Sequence, residues 1–259
     1  MDPGGSRTVR AGVGDRPDVN IGSMSSALPR AARRGLADEA ADLVRAAIFS
    51  GHFPPGAALR EVELAEHLQV SRGSVREGLA RLEREGLVRG GWHRSTTVIE
   101  VTAEDVQEVY ALRAALDRLA ATTARRAASA EHLSELDRLV AGMEAEIAAG
   151  GDAHRLVALD IAFHDQIYRA AGNGRLVTAW EAIRSQVHLF QLRRVDAAYD
   201  HYRARVVGEH RELAALLRSG DSRTLARRAE EHVDSARRSL LAGLPARAVT
   251  ERAEASGRR

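Results

Sequence analysis

The segment ALDIAFHDQIYRAAGN, residues 158–173, is typical of a helix and places two reactive side chains among alanine, isoleucine and phenylalanine. Asp160 and His164 are four residues apart, which is about one helical turn, so their side chains are expected on one face. Three interpretations fit this pair: a buried polar contact that only packs, a catalytic base, or half of a metal site. The rest of the chain must decide among them.

Two further histidines occur in the middle of predicted helices, His210 in GEHRELAALLRSGD and His232 in RRAEEHVDSARRSLL. With the first pair they would supply one carboxylate and three imidazoles from three helices. Such a set, without thiolate, suits zinc, nickel, manganese or iron, and the ligand types alone do not choose among these metals. A carboxylate buried beside a histidine is costly unless it is paired or binds a metal. Taken singly, however, each histidine is better explained as an ordinary core or surface residue.

Little in the sequence supports catalysis at such a metal. There is no HExxH motif, no nucleophile elbow and no second carboxylate expected near the set, although a catalytic metal needs a general base and a substrate cleft. The chain has no cysteine, which excludes disulfides, thiolate metal sites and a cysteine nucleophile. A metalloenzyme is therefore kept only as a minor alternative.

Composition limits the classes of protein to which the chain can belong. It has 259 residues, of which 44% are apolar and 4% aromatic, and this favours two domains built from helices with small aliphatic cores. The net charge of +2 does not by itself indicate nucleic-acid binding, and all basic residues are arginine. No apolar run of about 18 residues occurs, and the N-terminus lacks a signal core. We therefore expect a cytoplasmic protein that does not enter membranes.

Shifts in composition along the chain predict four segments. An N-terminal extension, 1–32, is rich in Gly, Ser, Pro and Arg and is expected to be disordered. A compact unit, 33–101, precedes a helical segment, 102–244, and a flexible tail, 245–259. Short breaks divide the helical segment into six antiparallel helices, over residues 104–128, 131–149, 152–171, 174–195, 199–218 and 222–242.

The compact unit has the punctuation of a winged helix-turn-helix. A first helix ends at Gly51, a Pro-Pro-Gly turn and a short second helix follow, and Ser71 suits an N-cap for a third helix. LVRGGWHRSTTVIEV predicts a two-stranded ribbon. The predicted fold is therefore mainly α, a winged helix-turn-helix followed by an antiparallel all-helical bundle of about six helices. The inward positions expected from the helical period are Leu36, Ala40, Leu43, Val44, Ala47 and Ile48 in the first helix, Val62, Leu64, Ala65 and Leu68 in the second, and Val75, Leu79 and Leu82 in the third.

The start of the third helix is where a helix-turn-helix reads DNA. Arg72 and Arg76 lie one turn apart there, and a guanidinium can bind guanine bidentately in the major groove. Between residues 72 and 94 there are six Arg against three Glu, so the basic surplus is local to this helix and the wing. Contacts to phosphate, which position a protein without specifying sequence, are expected from Arg60, Ser71 and Ser74.

GAALREVELAEHLQVSRGSVREGLARLEREGLV, residues 56–88, closely resembles the GntR family of bacterial transcription regulators, and EDVQEVYALRAALDR, residues 104–118, resembles the opening of the FadR-type C-terminal domain, the FCD domain. Together the two resemblances cover about residues 36–243. They imply DNA contacts at the matching positions, Arg60, Ser71, Arg72, Gly73, Ser74 and Arg76. The chain departs from many relatives at the wing, where it reads GGWHRST; the tip is placed at Trp92, His93 and Arg94, with His93 and Arg94 as further DNA contacts.

Metal-binding FCD domains resemble this chain in a second respect. They carry an Asp and a His four residues apart on one helix and one His on each of two later helices, and all four positions are filled here, by Asp160, His164, His210 and His232. The resemblance therefore implies a bound divalent metal, with zinc preferred over nickel, manganese and iron. A small carboxylate effector is expected at the open coordination position, with Arg113 as its counter-charge and Arg184 and His188 lining the pocket.

These expectations combine into a cytoplasmic, ligand-responsive transcription regulator that represses by binding a pseudo-palindromic operator as a homodimer. Two alternatives stay open. In one, DNA binding is kept, the four polar residues are structural, and the effector is a non-metal ligand such as an acyl-CoA. The other is the helical metalloenzyme.

Overall fold

The computed structural model describes residues 35–91 and 94–244, apart from the side chains of 91, 94 and 95. The first part of the chain forms α1 (Leu36–Phe49), β1 (Ala58–Leu59), α2 (Glu61–Leu68), α3 (Arg72–Arg84), β2 (Val88–Gly91) and β3 (Arg94–Val98). Five longer helices follow, α4 (Ala103–Ala127), α5 (Ala130–Ala148), α6 (Ala153–Ala170), α7 (Gly174–Ser219) and α8 (Ser222–Gly243). The predicted N-terminal extension and C-terminal tail lie outside the described residues.

A tight turn joins α2 to α3. Gln69, which ends α2, has a left-handed backbone with φ 55°, a conformation that costs a residue other than glycine about 1–2 kcal/mol. Ser71 then caps α3 as predicted, because its Oγ accepts a hydrogen bond from the backbone N–H of Ser74 at 3.1 Å. The turn leaves the first residues of α3, Arg72 and Gly73, exposed to solvent.

The sheet has three antiparallel strands in the order β1-β3-β2, so the predicted two-stranded ribbon is incomplete. The third strand is the two-residue β1, in which Ala58 pairs with Thr97 and Leu59 pairs with Thr96. β1 supplies backbone partners to the outer edge of β3. A strand of two residues is too short to show an alternating pattern, which is why the sequence did not reveal it.

Most of the apolar positions predicted to face inward in α1–α3 are buried, Ala47 and Leu68 are partly buried, and three are exposed. Leu36, Leu43 and Val62 are 54%, 49% and 47% exposed. In α1 the buried side chains are Ala40, Ala41, Val44 and Ile48. That face is narrow because α1 approaches α3 closely at Gly78, where a methyl group would lie 3.0 Å from a carbonyl oxygen of α1.

Helices α4–α8, joined by short turns, form the helical bundle, and the predicted fold class is confirmed. The fourth and fifth predicted helices, 174–195 and 199–218, are however one 46-residue element, α7, with a kink at Ala198 (φ −153°, ψ 53°). The segment VDAAYD contains no Gly or Pro, so helical hydrogen bonding resumes on both sides and the expected loop is a kink. No helix among the described residues has the length and apolar character needed to cross a bilayer.

Two glycines inside helices, Gly78 in α3 and Gly208 in α7, should respond oppositely to alanine. A Cβ at position 78 would lie 3.0 Å from Ala37 O and 3.1 Å from Ala41 N, whereas a Cβ at position 208 meets nothing within 4 Å. We expect Gly78→Ala to lower the free energy of unfolding by about 1–2 kcal/mol through overpacking, and Gly208→Ala to raise it by about 0.5–1 kcal/mol. Chemical denaturation measures both; a stabilised Gly78→Ala would contradict the close packing of α1 on α3.

Candidate functional site

Four side chains from three helices meet in the interior of the bundle. Asp160 and His164 lie one turn apart on α6, His210 lies on α7 beyond the kink, and His232 lies on α8. These residues are 1%, 2%, 0% and 7% exposed, respectively. The structure therefore brings together the whole predicted ligand set, which we call the His₃Asp cluster.

The spacing of the cluster suits a metal ion. The three histidines can each offer a ring nitrogen such that all three atoms lie within 4.8 Å of one another. Asp160 Oδ1 lies 3.4 Å from His164 Nε2 and 3.3 Å from His210 Nε2. Ligands at about 2.0–2.1 Å from a tetrahedral zinc ion are about 3.3 Å apart. The two measured spacings match the edges of such a tetrahedron.

The hydrogen bonds of the rings fix which nitrogen faces the centre. His210 Nδ1 lies 2.6 Å from the carbonyl oxygen of Val206, and His232 Nδ1 lies 3.0 Å from Glu209 Oε2. Both partners can only accept, so each Nδ1 carries the proton and each Nε2 keeps its lone pair. Burial lowers the pKa of His232 to about 4, which keeps its imidazole neutral at pH 7.

Two carboxylates beside the cluster correct the expectation that none lies near it. Asp117 Oδ2, on α4, is 3.2 Å from His164 Nδ1, and Glu209 accepts from His232. Burial alone would raise the pKa of Glu209, but His232 and Arg205 together lower it to about 2. These carboxylates orient the rings from outside. Glu209 could have been inferred from its place beside His210, whereas Asp117 is distant in sequence from all four ligands.

Asp160 is held in the ionised form with one oxygen turned to the histidines. Its Oδ2 accepts hydrogen bonds from Gln191 Nε2 at 3.1 Å and from the Tyr202 hydroxyl at 2.8 Å. Burial would raise the pKa of Asp160, but His210, His164 and Arg113 outweigh that effect and lower it well below its usual range. The carboxylate therefore keeps its charge in the interior of the bundle.

Three buried acceptor atoms of the cluster have no hydrogen-bond partner among the described residues: Asp160 Oδ1, His210 Nε2 and His232 Nε2. A buried acceptor without a partner costs about 1–3 kcal/mol. Because the three atoms belong to one cluster of facing lone pairs, a single cation could satisfy all of them. The donor set and its unsatisfied atoms therefore fit a divalent metal.

Arg113 lies where the sequence placed it, beside the cluster. Its guanidinium is fully buried, and its Nη2 lies 3.0 Å from His164 Nε2. The guanidinium carbon also lies 5.6 Å from the ring centre of Tyr110 and 5.9 Å from that of Trp180. These aromatic walls fix the arginine inside the bundle rather than on a helix surface.

The prediction that Arg184 and His188 line the same pocket needs correction. Arg184 forms a bidentate pair with Asp165, with its Nε and Nη2 2.8 and 2.7 Å from the carboxylate oxygens. The ring of His188 lies against Phe49 of α1, with the ring centres 4.1 Å apart. One helical turn of spacing placed both on α7 correctly, but the hydrogen bonds and ring contact of their side chains go to Asp165 and Phe49 and not to the four residues of the His₃Asp cluster.

The same stretch of α7 contacts the winged helix-turn-helix at the end of α3. The hydroxyl of Ser185 donates to Glu85 Oε2 at 2.9 Å. Glu85 also accepts from Arg45 of α1, with Nε and Nη2 each at 2.8 Å, and from Arg81 Nε at 3.2 Å. Six residues beyond Ser185 on the same helix, Gln191 binds the carboxylate of the cluster. Helix α7 therefore contacts both the end of α3 and the carboxylate of the candidate metal site.

The predicted DNA-contacting residues lie at the exposed start of α3 or close to it. Arg72 forms no salt bridge within the described part of the chain, whereas Arg76 forms a bidentate pair with Glu61 at 3.1 and 2.9 Å. Arg60 pairs with Glu63 at 2.7 Å. Among the rest, Ser71 and Ser74 are hydrogen-bonded to each other and Gly73 is exposed. At the wing, His93 lies outside the described residues and only the backbone of Arg94 is described, in β3.

Comparison with known proteins matches both parts of the chain. Residues 36–98 match the family "Bacterial regulatory proteins, gntR family", and residues 108–235 match the "FCD domain". A "Probable D-xylose utilization operon transcriptional repressor" of Paenarthrobacter nicotinovorans is 29% identical over 201 residues, 76% of this chain and 85% of that protein. An "Uncharacterized HTH-type transcriptional regulator in unstable DNA locus" of Streptomyces ambofaciens is 32% identical over 183 residues, 69% of this chain and 73% of that protein. The solved structure of E. coli McbR/YncC shares the fold, with a TM-score of 0.70 and 21% identity, covering 81% of this chain and 99% of that one.

The contact between α7 and α1 should make stability depend on pH. Burial, with a further contribution from Arg184, lowers the pKa of His188 to about 4, below the 6.5 of a free imidazole. His188 therefore stabilises the fold fully above pH 6.5, and this contribution is lost as the pH falls towards 4. Replacing it in His188→Gln should reduce the loss of unfolding free energy between pH 7 and pH 4.5 by about 1–2 kcal/mol.

Denaturation at a series of pH values measures this difference. His201→Gln, at an exposed position of the same helix, is the matched control and should keep the wild-type pH dependence. A His188→Gln protein with the wild-type slope would contradict the assignment.

Proposed function

The chain belongs to the gntR family of bacterial regulatory proteins, and from that premise we propose that it is a metal-containing, effector-responsive repressor. The family and its named relatives are transcription regulators, so the metalloenzyme alternative is not retained. The observation that carries the proposal is the His₃Asp cluster, whose facing lone pairs lie in the bundle attached to the DNA-binding unit. A homodimer that binds a pseudo-palindromic operator in the cytoplasm completes the proposal.

The metal would be held by Asp160, His164, His210 and His232, with zinc first and nickel, manganese or iron as alternatives. When bound, the ion would supply a Lewis-acidic centre, which could accept an effector carboxylate as a fifth ligand beside these four. The chain's own residues do the rest: Asp117 and Glu209 orient the imidazoles, and Arg113 offers its guanidinium to the effector's charge.

The size of the site favours a small effector over an acyl-CoA. The cavity beside His164 and His232 measures about 10 Å³, which is enough for about one water-sized group. An acyl chain would require the apolar packing of the bundle to be dismantled. A compact carboxylate requires much less rearrangement, and its negative charge complements the guanidinium of Arg113 beside the cluster.

The proposals of repression and of a homodimer have separate support. The Paenarthrobacter relative is named as a repressor. On α4, the apolar side chains of Leu112 and Leu119 are 48% and 49% exposed, and they lie about two turns apart on one side of the helix. A second copy of this chain could cover these side chains, and a two-fold dimer would place two α3 helices on the two half-sites of an operator.

Metal binding can be tested directly on chelator-treated protein. The full chain should take up one zinc ion per chain, and His210→Ala and His232→Ala should each weaken zinc binding by at least about 100-fold, because each removes a ligand. Glu209→Gln should weaken it by about 10- to 100-fold through loss of ring orientation. Chelator-competition titration gives these affinities, with the exposed His201→Ala as control. Wild-type affinity in His210→Ala would contradict the site.

The DNA contacts predict opposite effects from two substitutions near the start of α3. Arg72→Ala should weaken binding to an operator selected by the wild-type protein from random DNA by about 10- to 100-fold, because a bidentate base contact is lost. Glu61→Gln should strengthen binding several-fold, because it releases Arg76 and removes a negative charge facing phosphate.

Fluorescence anisotropy at several salt concentrations measures both effects. Glu181→Gln, an exposed site on α7, controls for the change in net charge and should leave affinity unchanged. Unchanged operator affinity in Arg72→Ala would contradict the assignment of α3 as the recognition helix.

A further inference from the structure

A second buried arginine, Arg194 on α7, lies beside the cluster, and no motif in the sequence pointed to it. The residue is 3% exposed, and its guanidinium carbon lies 5.0 Å from the ring centre of Tyr202. Its Nη1 donates to Gln191 Oε1 at 3.2 Å. Tyr202 and Gln191 are the two residues that hold Asp160 Oδ2, so Arg194 is one contact away from the cluster.

The unsatisfied buried atoms around the cluster are of two kinds. Asp160 Oδ1, His210 Nε2 and His232 Nε2 are acceptors, and a cation satisfies them. Arg113 Nη1 and Arg194 Nε are donors without partners in the described part of the chain, and a cation cannot satisfy them. Two buried guanidinium N–H groups require acceptor atoms, which for charged donors are best supplied by anionic oxygen.

Tyr110 and Gln191 connect the two arginines. The guanidinium of Arg113 lies over the ring of Tyr110, and the Tyr110 hydroxyl donates to Gln191 Oε1 at 3.4 Å. The same Gln191 oxygen accepts from Arg194. Each guanidinium thus has its own neighbours in this chain of contacts, and a ligand with two linked acidic groups can give each arginine its own acceptor.

The net charge of the buried residues also favours a ligand with two acidic groups. Arg113 and Arg194 contribute two positive charges to the buried region, and Asp117 and Asp160 contribute two negative charges. Glu209 is partly exposed and is paired with Arg205 as well as with His232. The region is thus neutral before a divalent metal binds and carries an excess of two positive charges afterwards. Buried charge without compensation is strongly unfavourable.

We propose that the effector of this chain is a compact dicarboxylate, one carboxylate meeting the metal and Arg113 and the other meeting Arg194. This inference rests on the proposed metal site and names the chemical class of its effector. The existing cavity lies beside Asp117, His164 and His232, has room for about one water-sized group and is not lined by Arg113 or Arg194. The side of the site that carries Arg194 must therefore open. The kink at Ala198, between Arg194 and Tyr202, is where α7 already departs from regular helical geometry.

The test uses full-length protein loaded with zinc and isothermal titration with four probes: malonate, succinate, acetate and inorganic phosphate. Malonate or succinate should bind about 10- to 100-fold more tightly than acetate, because a second charged hydrogen-bonded group is added. Arg194→Gln, assayed on zinc-saturated protein, should reduce the better dicarboxylate to the affinity of acetate. Arg194→Lys, which keeps the charge, should restore part of the preference.

The matched control is Arg193→Gln, which removes a neighbouring, partly exposed arginine that pairs with Asp196 on the surface. It should keep the dicarboxylate preference, and thermal unfolding of each zinc-loaded variant shows that it is folded. Equal affinities for acetate and the dicarboxylates, or an undiminished preference in Arg194→Gln, would overturn the inference. Phosphate binding more tightly than either dicarboxylate would overturn the ligand class. Failure to bind zinc at all would instead refute the proposed function.

Discussion

The orientation of three imidazole rings decides what the interior of the bundle can hold. Each ring directs its Nδ1 to a fixed acceptor, the carboxylate of Asp117, the carbonyl of Val206 or the carboxylate of Glu209. The Nε2 lone pairs of His210 and His232 are thereby left without a hydrogen-bond partner among the described residues, whereas Nε2 of His164 lies 3.0 Å from Arg113 Nη2. In an interior of low dielectric such an arrangement of acceptors repels itself unless a cation lies among them. The proposed metal follows from this constraint.

Helix α7 connects the cluster to the DNA-binding unit. Gln191 holds the carboxylate of the cluster, and less than two turns away Ser185 binds Glu85 at the end of the recognition helix α3. A ligand that repositions Gln191 or Arg194 acts on the same helix that contacts Glu85. We propose that the effector stabilises one position of α7. The DNA-binding unit then changes position with the helix, because Glu85 is hydrogen-bonded to it.

Local patterns in the sequence predicted most of the elements, and spacing along one helix predicted that Asp160 and His164 lie on the same face. Asp160 and His164 were identified in that way, and Ser71 was correctly predicted as a cap. Tertiary contacts were not predictable. β1 is too short to carry a pattern, Asp117 and Arg194 look like ordinary helix charges, and His188 turns to Phe49 because α1 happens to pack there. The resemblance to a family supplied the grouping of four ligands that spacing alone left open.

In our proposal the interior of the bundle binds a metal through imidazole nitrogens. X-ray absorption spectroscopy of the zinc-loaded full-length protein reports the atoms around the ion. We expect a first shell of nitrogen and oxygen at about 2.0–2.1 Å, with the outer-shell scattering of about three imidazoles and no sulfur. A shell of oxygen alone, or the scattering of at most one imidazole, would place the zinc elsewhere and refute the proposed site.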